Sequence, residues 1–181
     1  MADFYPYLVA SFPMLHFGMK PPFSFERFLG ECQPFMPEKD FKILSTLPLP
    51  EEYQEREEEH PLVQHWIEFD TAMRNELVRT RAARIRRDPA AYSRAGIYGD
   101  SSLGPAVMAA GTNSSLSGAE KALDELRWKK LDDLATGHYF DLDFLITFGY
   151  KLMILERWER IRTADGRILL EQVLAGGTAI Q

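Results

Sequence analysis

The spacing of apolar positions divides the chain into two helical stretches joined by a polar, glycine-rich segment. From Pro61 onward, Leu62, Trp66, Phe69, Met73 and Leu77 recur at intervals of three and four, which puts them on one face of a helix. Pro61 suits the first helical position, and the residue before Pro89 is biased away from helical geometry, so this helix is expected to end near Asp88. A second long helix is expected from Asp141, which can cap it, with Asp143 complementing the dipole in its first turn and Phe140 stapling to Leu145. Phe144, Leu145, Ile146, Phe148, Leu152, Met153, Ile154 and Leu155 surround nearly the whole circumference of that helix, marking it as the central one. Gly149 lies on one face between Leu145 and Leu152 and permits a close approach there. Asp165-Gly166 is expected to turn the chain before a last short helix over Arg167 to Leu174.

Shorter elements fill the rest. Ser24 is placed to cap a helix over Phe25 to Gln33, and Pro37 to open another that runs to about Leu47. A short helical piece is expected over Ala90 to Arg94. Ser117 and Glu120 form a capping box for a helix carrying Leu123, Leu126, Leu131 and Leu134, with Gly137 placed to end it. Tyr7 to Phe12 reads as a short strand or as one helical turn. Residues 48–60, with Pro48, Pro50, Glu51, Glu52, Glu55, Glu57, Glu58 and Glu59, read as a solvated linker. The glycine- and serine-rich stretch from Gly96 to Ser117 reads as a flexible loop. The expected fold is therefore all-α, a bundle of two long and several short helices with at most a short extended segment near the N-terminus. It forms a single domain over 1–181, with helical halves at 24–95 and 118–175.

Composition narrows the function. The chain has 181 residues, 45% hydrophobic, which is enough for a core without staples. A net charge of −6 argues against a general nucleic-acid binder. The single cysteine, Cys32, fits a reducing compartment, and no secretory signal is expected because Pro6 and Pro13 interrupt the first apolar stretch. The most apolar window, Phe144 to Leu155, is far short of the roughly 20 residues a membrane span needs. Cytoplasmic localisation is expected.

Candidate chemistry is sparse. No phosphate-binding glycine loop has the required context, and Gly111-Thr112-Asn113-Ser114 reads better as linker than as an anion cradle. His60 and His65 are five apart, off the spacing that presents two imidazoles on one helical face, and His16 and His138 stand alone, so no metal site and no cofactor are expected. His138 reads as structural or capping, Cys32 as a buried bystander, and Trp66, Trp128 and Trp158 as core. The expectation is a protein that is not an enzyme; an enzyme would need a pocket with convergent polar groups. One feature stands out. The apolar stripe of the first long helix, extended by the same steps, reaches Thr80, Arg84 and Arg87, so the face that is core at first becomes cationic. Arg79, Arg81, Arg84, Arg86 and Arg87 contain no acid among them. This end can be a solvated helix terminus, a partner for the Glu51 to Glu59 run, or a docking surface for an acidic protein or, less readily, a nucleic acid. Arg79, Arg81, Arg84 and Arg87 are the candidate partner-binding residues.

Scattered positions along most of the chain carry a family resemblance. They are Tyr7-Leu8-Val9-Ala10-Ser11-Phe12-Pro13, Lys20-Pro21-Pro22-Phe23-Ser24, Arg74-Asn75-Glu76-Leu77, Arg127-Trp128, His138-Tyr139-Phe140-Asp141, Lys151-Leu152 and Leu155-Glu156-Arg157-Trp158. With these the chain resembles an uncharacterised bacterial family encoded beside V-type (A/V-type) ATPase subunits, itself distantly similar to the C (or d) subunit that caps the rotor ring and seats the central stalk. The resemblance implies an all-α, non-catalytic coupling, docking or assembly role, with ATPase subunits of the central stalk or rotor ring as partners, peripheral to the inner membrane. The chain shows fewer helical units than that subunit and no internal repeat, which implies an accessory or reduced version. The alternative is a stand-alone helical adaptor that binds an acidic protein or RNA through the arginines.

Overall fold

The structure is a computed structural model that describes residues 4–49, 53, 60–94 and 102–177, with side chains described as far as residue 164. Among these residues there are seven α-helices and no strand, an all-α bundle as expected. They are α1 (Pro6–Ser11), α2 (Phe25–Cys32), α3 (Glu38–Ser45), α4 (Pro61–Ile85), α5 (Leu103–Gly111), α6 (Leu116–Leu134) and α7 (Leu142–Gly177). The stretch at 7–12 that left strand and helix open is helical, and it is anchored where the Tyr5 N–H donates to the carbonyl of Phe140.

The N-terminal half of α7 is the scaffold. Leu145, Ile146, Leu152 and Leu155 are fully buried, and α2, α3 and α6 all pack on this helix. Phe148 joins Phe12, Phe23 and Phe28 in an aromatic cluster with ring centroids 5.1 to 6.3 Å apart. Gly149 faces α2 and the end of α3, where a Cβ would stand 3.1 Å from Phe25 Cε2 and 3.3 Å from Leu47 Cδ1. The glycine therefore lets side chains seat on α7, not a second helix backbone. On the other side α4 packs against α5 and α6, and its Trp66 ring lies 4.9 Å from that of Tyr150 on α7.

The caps follow local chemistry. Ser24 accepts a hydrogen bond from the Arg27 N–H, and Asp141 Oδ1 accepts one from the Phe144 N–H. Gly137 sits at φ +90° just beyond α6, a conformation open to glycine at little cost. Phe140 is partly exposed.

Five expectations need correction. The segment read as a flexible loop over 96–117 contains α5, whose Leu103, Val107 and Ala110 fall at helical spacing and are buried. Small residues made this stretch look like linker, yet alanine is the best helix former and Pro105 lies in the first turn, where its missing N–H costs nothing. The cap of α6 is Ser115, which accepts from the Gly118 N–H, not Ser117. Helix α4 stops at Ile85, three residues short of Asp88, because Arg86 takes the left-handed conformation at φ 53° and Arg87 N–H bonds back to Ala82 O. The piece expected at 90–94 is a single 3-10 turn over Pro89–Ala91. Finally, α7 runs unbroken through Asp165-Gly166 to Gly177, since an interior glycine costs a helix only about 1 kcal/mol. The expected linker at 51–59 lies outside the described residues apart from Tyr53, as does the start of the expected loop, 96–101.

Candidate functional site

The cationic end of α4 leaves the core as its pattern implied. Leu62, Trp66, Phe69 and Met73 are buried, Leu77 and Thr80 half-buried, and Arg79, Arg81, Arg84, Arg86 and Arg87 all exposed. Two of them are engaged locally: Arg79 pairs with Glu76 at 2.7 Å, and Arg84 donates to the carbonyl of Gly111 at 3.0 Å. Arg81, Arg86 and Arg87 have no acidic partner among the described residues. The proposed pairing with the Glu51 to Glu59 run falls outside those residues. Arg84 thus ties the end of α4 to the end of α5, while its neighbours remain in solvent.

The structure also assembles a buried charge network that sequence reading missed. It begins at Asp70 of α4 and Asp124 of α6, each 1% exposed. Arg127, one turn along α6 from Asp124, bridges them: its Nε donates to Asp70 Oδ1 at 2.8 Å and its Nη1 to Asp124 Oδ1 at 2.7 Å. Arg74 donates to the other oxygen of Asp70 at 2.8 Å. From α7, Arg157 donates to Asp124 at 2.9 Å and to Glu120 at 2.8 Å, and the Trp158 indole N–H donates to Asp124 at 2.9 Å. Burial by itself would raise the Asp70 carboxyl, but the charges of Arg127 and Arg74, with their hydrogen bonds, outweigh it and hold the group below the usual carboxylate value. Desolvation would likewise lower Arg127, and Asp70 and Asp124 reverse that. Trp158, expected as plain core, is a hydrogen-bond donor in this network.

Asp70, Arg74, Glu120, Asp124, Arg127 and Arg157 line a cleft of about 600 Å³ between α4, α6 and α7, with Tyr53, Trp66, Tyr150, Arg81 and Arg160 around it. The pocket with convergent polar groups that an enzyme would need is thus present in outline. Its buried charged members, Asp70, Asp124 and Arg127, however, are bonded to one another and to Arg74 and Arg157. A second groove, of about 500 Å³, runs beside Phe12, Phe17, Trp128 and Phe148 and is chiefly apolar.

A third cluster forms where α4 and α7 begin. His60, which precedes α4, does not meet His65; its Nε2 lies 3.3 Å from Asp143 Oδ1. The other oxygen of Asp143 lies 3.2 Å from His138 Nδ1, and His138 Nδ1 is 2.7 Å from Asp141 Oδ2. The hydrogen bond to Asp141 raises the His138 pKa above its ordinary value, against a smaller effect of burial. The capping role expected for this turn is filled by Asp141, with His138 beside it.

The remaining candidates are quiet. Cys32 is fully buried in α2, and burial, aided by Glu31, pushes its thiol up to about 12, far from the range of a nucleophile. At Gly111-Thr112-Asn113-Ser114 the Asn113 side chain accepts from the Ser115 N–H, so the segment serves as the entry to α6. Among the described residues no helix is long and apolar enough to cross a membrane.

A charge network linking three helices was not legible because its members are far apart in sequence: Asp70 and Arg127 are separated by 57 positions. One signal existed, since Asp70 falls on the buried side of α4 beside Phe69 and Met73, and a carboxylate there requires a cation.

Neither a curated protein nor a solved structure matches the chain. Residues 105–176, which carry Asp124, Arg127, His138, Asp143 and Arg157, match a family model described as a protein of unknown function (DUF2764).

Proposed function

We propose that the chain is a non-catalytic subunit or accessory factor of a bacterial V-type ATPase, acting on the cytoplasmic side at the central stalk or rotor ring. The reading starts from the resemblance, and the observation that supports it best is where the resembling residues stand. Arg74, Arg127, Arg157 and Trp158 all belong to the buried network that ties α4, α6 and α7 together, and His138 and Asp141 form the turn into α7. A coupling element has to transmit force without bending. Helix α7 spans 36 residues, about 54 Å at 1.5 Å per residue, and charge-assisted bonds brace it against its neighbours. Arg81, Arg84 and Arg87, with Arg79 beside them, then offer a cationic surface at one end for an acidic stalk or rotor partner. Purification of the tagged native protein is expected to bring ATPase subunits with it, and its absence from an intact, active complex would refute the assignment.

The exposure of Arg81, Arg86 and Arg87 also favours a second reading, a stand-alone adaptor for an acidic protein or RNA. Salt-dependent RNA binding that is lost on Arg84→Glu with Arg87→Glu would support it.

A further inference from the structure

We propose that His138, Asp141 and Asp143 form a binding site for a divalent transition-metal ion of the zinc class, with His60 beside Asp143. The set combines one imidazole and two carboxylates at the turn into α7, and His60, which precedes α4, stands next to Asp143. Asp143 lies between the two histidines, with Oδ1 3.3 Å from His60 Nε2 and Oδ2 3.2 Å from His138 Nδ1. A charge-assisted N–H···O bond would draw these atoms to about 2.7–2.9 Å. A tetrahedron of ligands at zinc distances of about 2.0–2.1 Å has edges of about 3.3 Å, close to the 3.2 Å between His138 Nδ1 and Asp143 Oδ2, whereas His138 Nδ1 and Asp141 Oδ2 stand 2.7 Å apart, a hydrogen bond that would open to admit the ion. The donor atoms of His138, Asp141 and Asp143 all fall within 4.8 Å of one another.

The supporting contacts fit the same use. Asp141 commits Oδ1 to the Phe144 N–H at 3.1 Å, which orients the carboxylate and leaves Oδ2 toward the cluster. The four side chains are 16 to 35% exposed, so a cation could enter while losing only part of its surrounding water. Two carboxylates balance a dication and offset the positive end of the α7 dipole. His60 stands at the edge of the set, outside the group of donors that lie close to one another. Its Nδ1 is buried without a hydrogen-bond partner among the described residues, and a metal on Nε2 would place the proton on Nδ1 with no acceptor among them. The bound ion would fix the turn into α7.

The test uses the full chain, stripped with chelator and titrated with Zn²⁺ by calorimetry and with Co²⁺ by visible absorption. Saturable binding of one ion is expected, with a Co²⁺ spectrum lacking thiolate charge transfer. His138→Ala and Asp143→Asn should each weaken binding about tenfold to a hundredfold, and His60→Ala by less. His65→Ala and Cys32→Ser, which alter a histidine and the thiol outside the cluster, should leave binding unchanged. Zn²⁺ should raise the melting temperature of the wild type but not of the His138→Ala, Asp143→Asn double variant, whose metal-free circular dichroism serves as the folding control. A Kd weaker than about 100 µM for the wild type, or an affinity indifferent to the His138 and Asp143 changes in folded protein, would overturn the assignment.

Discussion

Replacing Arg127 by methionine removes the one cation that lies between two fully buried carboxylates. Arg127 is 11% exposed and donates to Asp70 at 2.8 Å and to Asp124 at 2.7 Å. A charge-assisted hydrogen bond contributes about 1.5–3 kcal/mol, so the two bonds together set a range of about 3–6 kcal/mol. The upper part of that range is out of reach. Asp70 keeps Arg74 and Asp124 keeps Arg157, both more than a third exposed and partly screened by water, and the adjoining cleft can admit solvent to the orphaned oxygens. Methionine retains most of the packing of the arginine stem. The expected loss is about 3–4 kcal/mol, read from urea unfolding followed by circular dichroism and tryptophan fluorescence. Neutralising one carboxylate should return part of it: the Asp70→Asn, Arg127→Met double variant should lose less than the sum of the single changes by at least about 1 kcal/mol. A loss below about 1 kcal/mol for Arg127→Met, or strict additivity of the pair, would refute the view that this network holds the three helices together.

The same network predicts the acid limb of stability. Because the folded Asp70 pKa lies below its unfolded value, the unfolded chain binds more protons, and the stabilisation is present above about pH 4 and lost as pH falls through the folded pKa. Urea midpoints should therefore fall between pH 5 and 3 more steeply in the wild type than in Asp70→Asn, and equal slopes would count against it. Gly149→Ala should destabilise by about 1 kcal/mol, since a Cβ 3.1 Å from Phe25 and 3.3 Å from Leu47 overpacks the contact by more than the helical preference for alanine returns; a raised melting temperature would contradict this. Arg86→Gly should stabilise by about 0.5–1 kcal/mol by relieving the left-handed conformation at the end of α4, and thermal melts that show no gain would speak against strain there.

The local pattern along the chain was enough for much of the architecture. The stripe Leu62 to Leu77 and the all-round apolar surface of Phe144 to Leu155 identify α4 and α7, because periodic burial is a property of each helix alone. Ser24 and Asp141 act as caps through bonds to residues three positions away, so their roles were legible too. The weakening of the apolar face toward Arg84 and Arg87 likewise foretold the exposed cationic end. Local signals failed where a wider balance decided the outcome: α5 forms because α4 and α6 cover its small apolar face, and α7 passes Asp165-Gly166 because one glycine is too small a cost to break it. Only the tertiary structure brings Asp70, Asp124, Arg127 and Arg157 into one network, and His60 up to Asp143. The physical reason is that a buried charge is stabilised by whichever partner the packing of helices delivers, and no spacing within one helix encodes which distant side chain that will be.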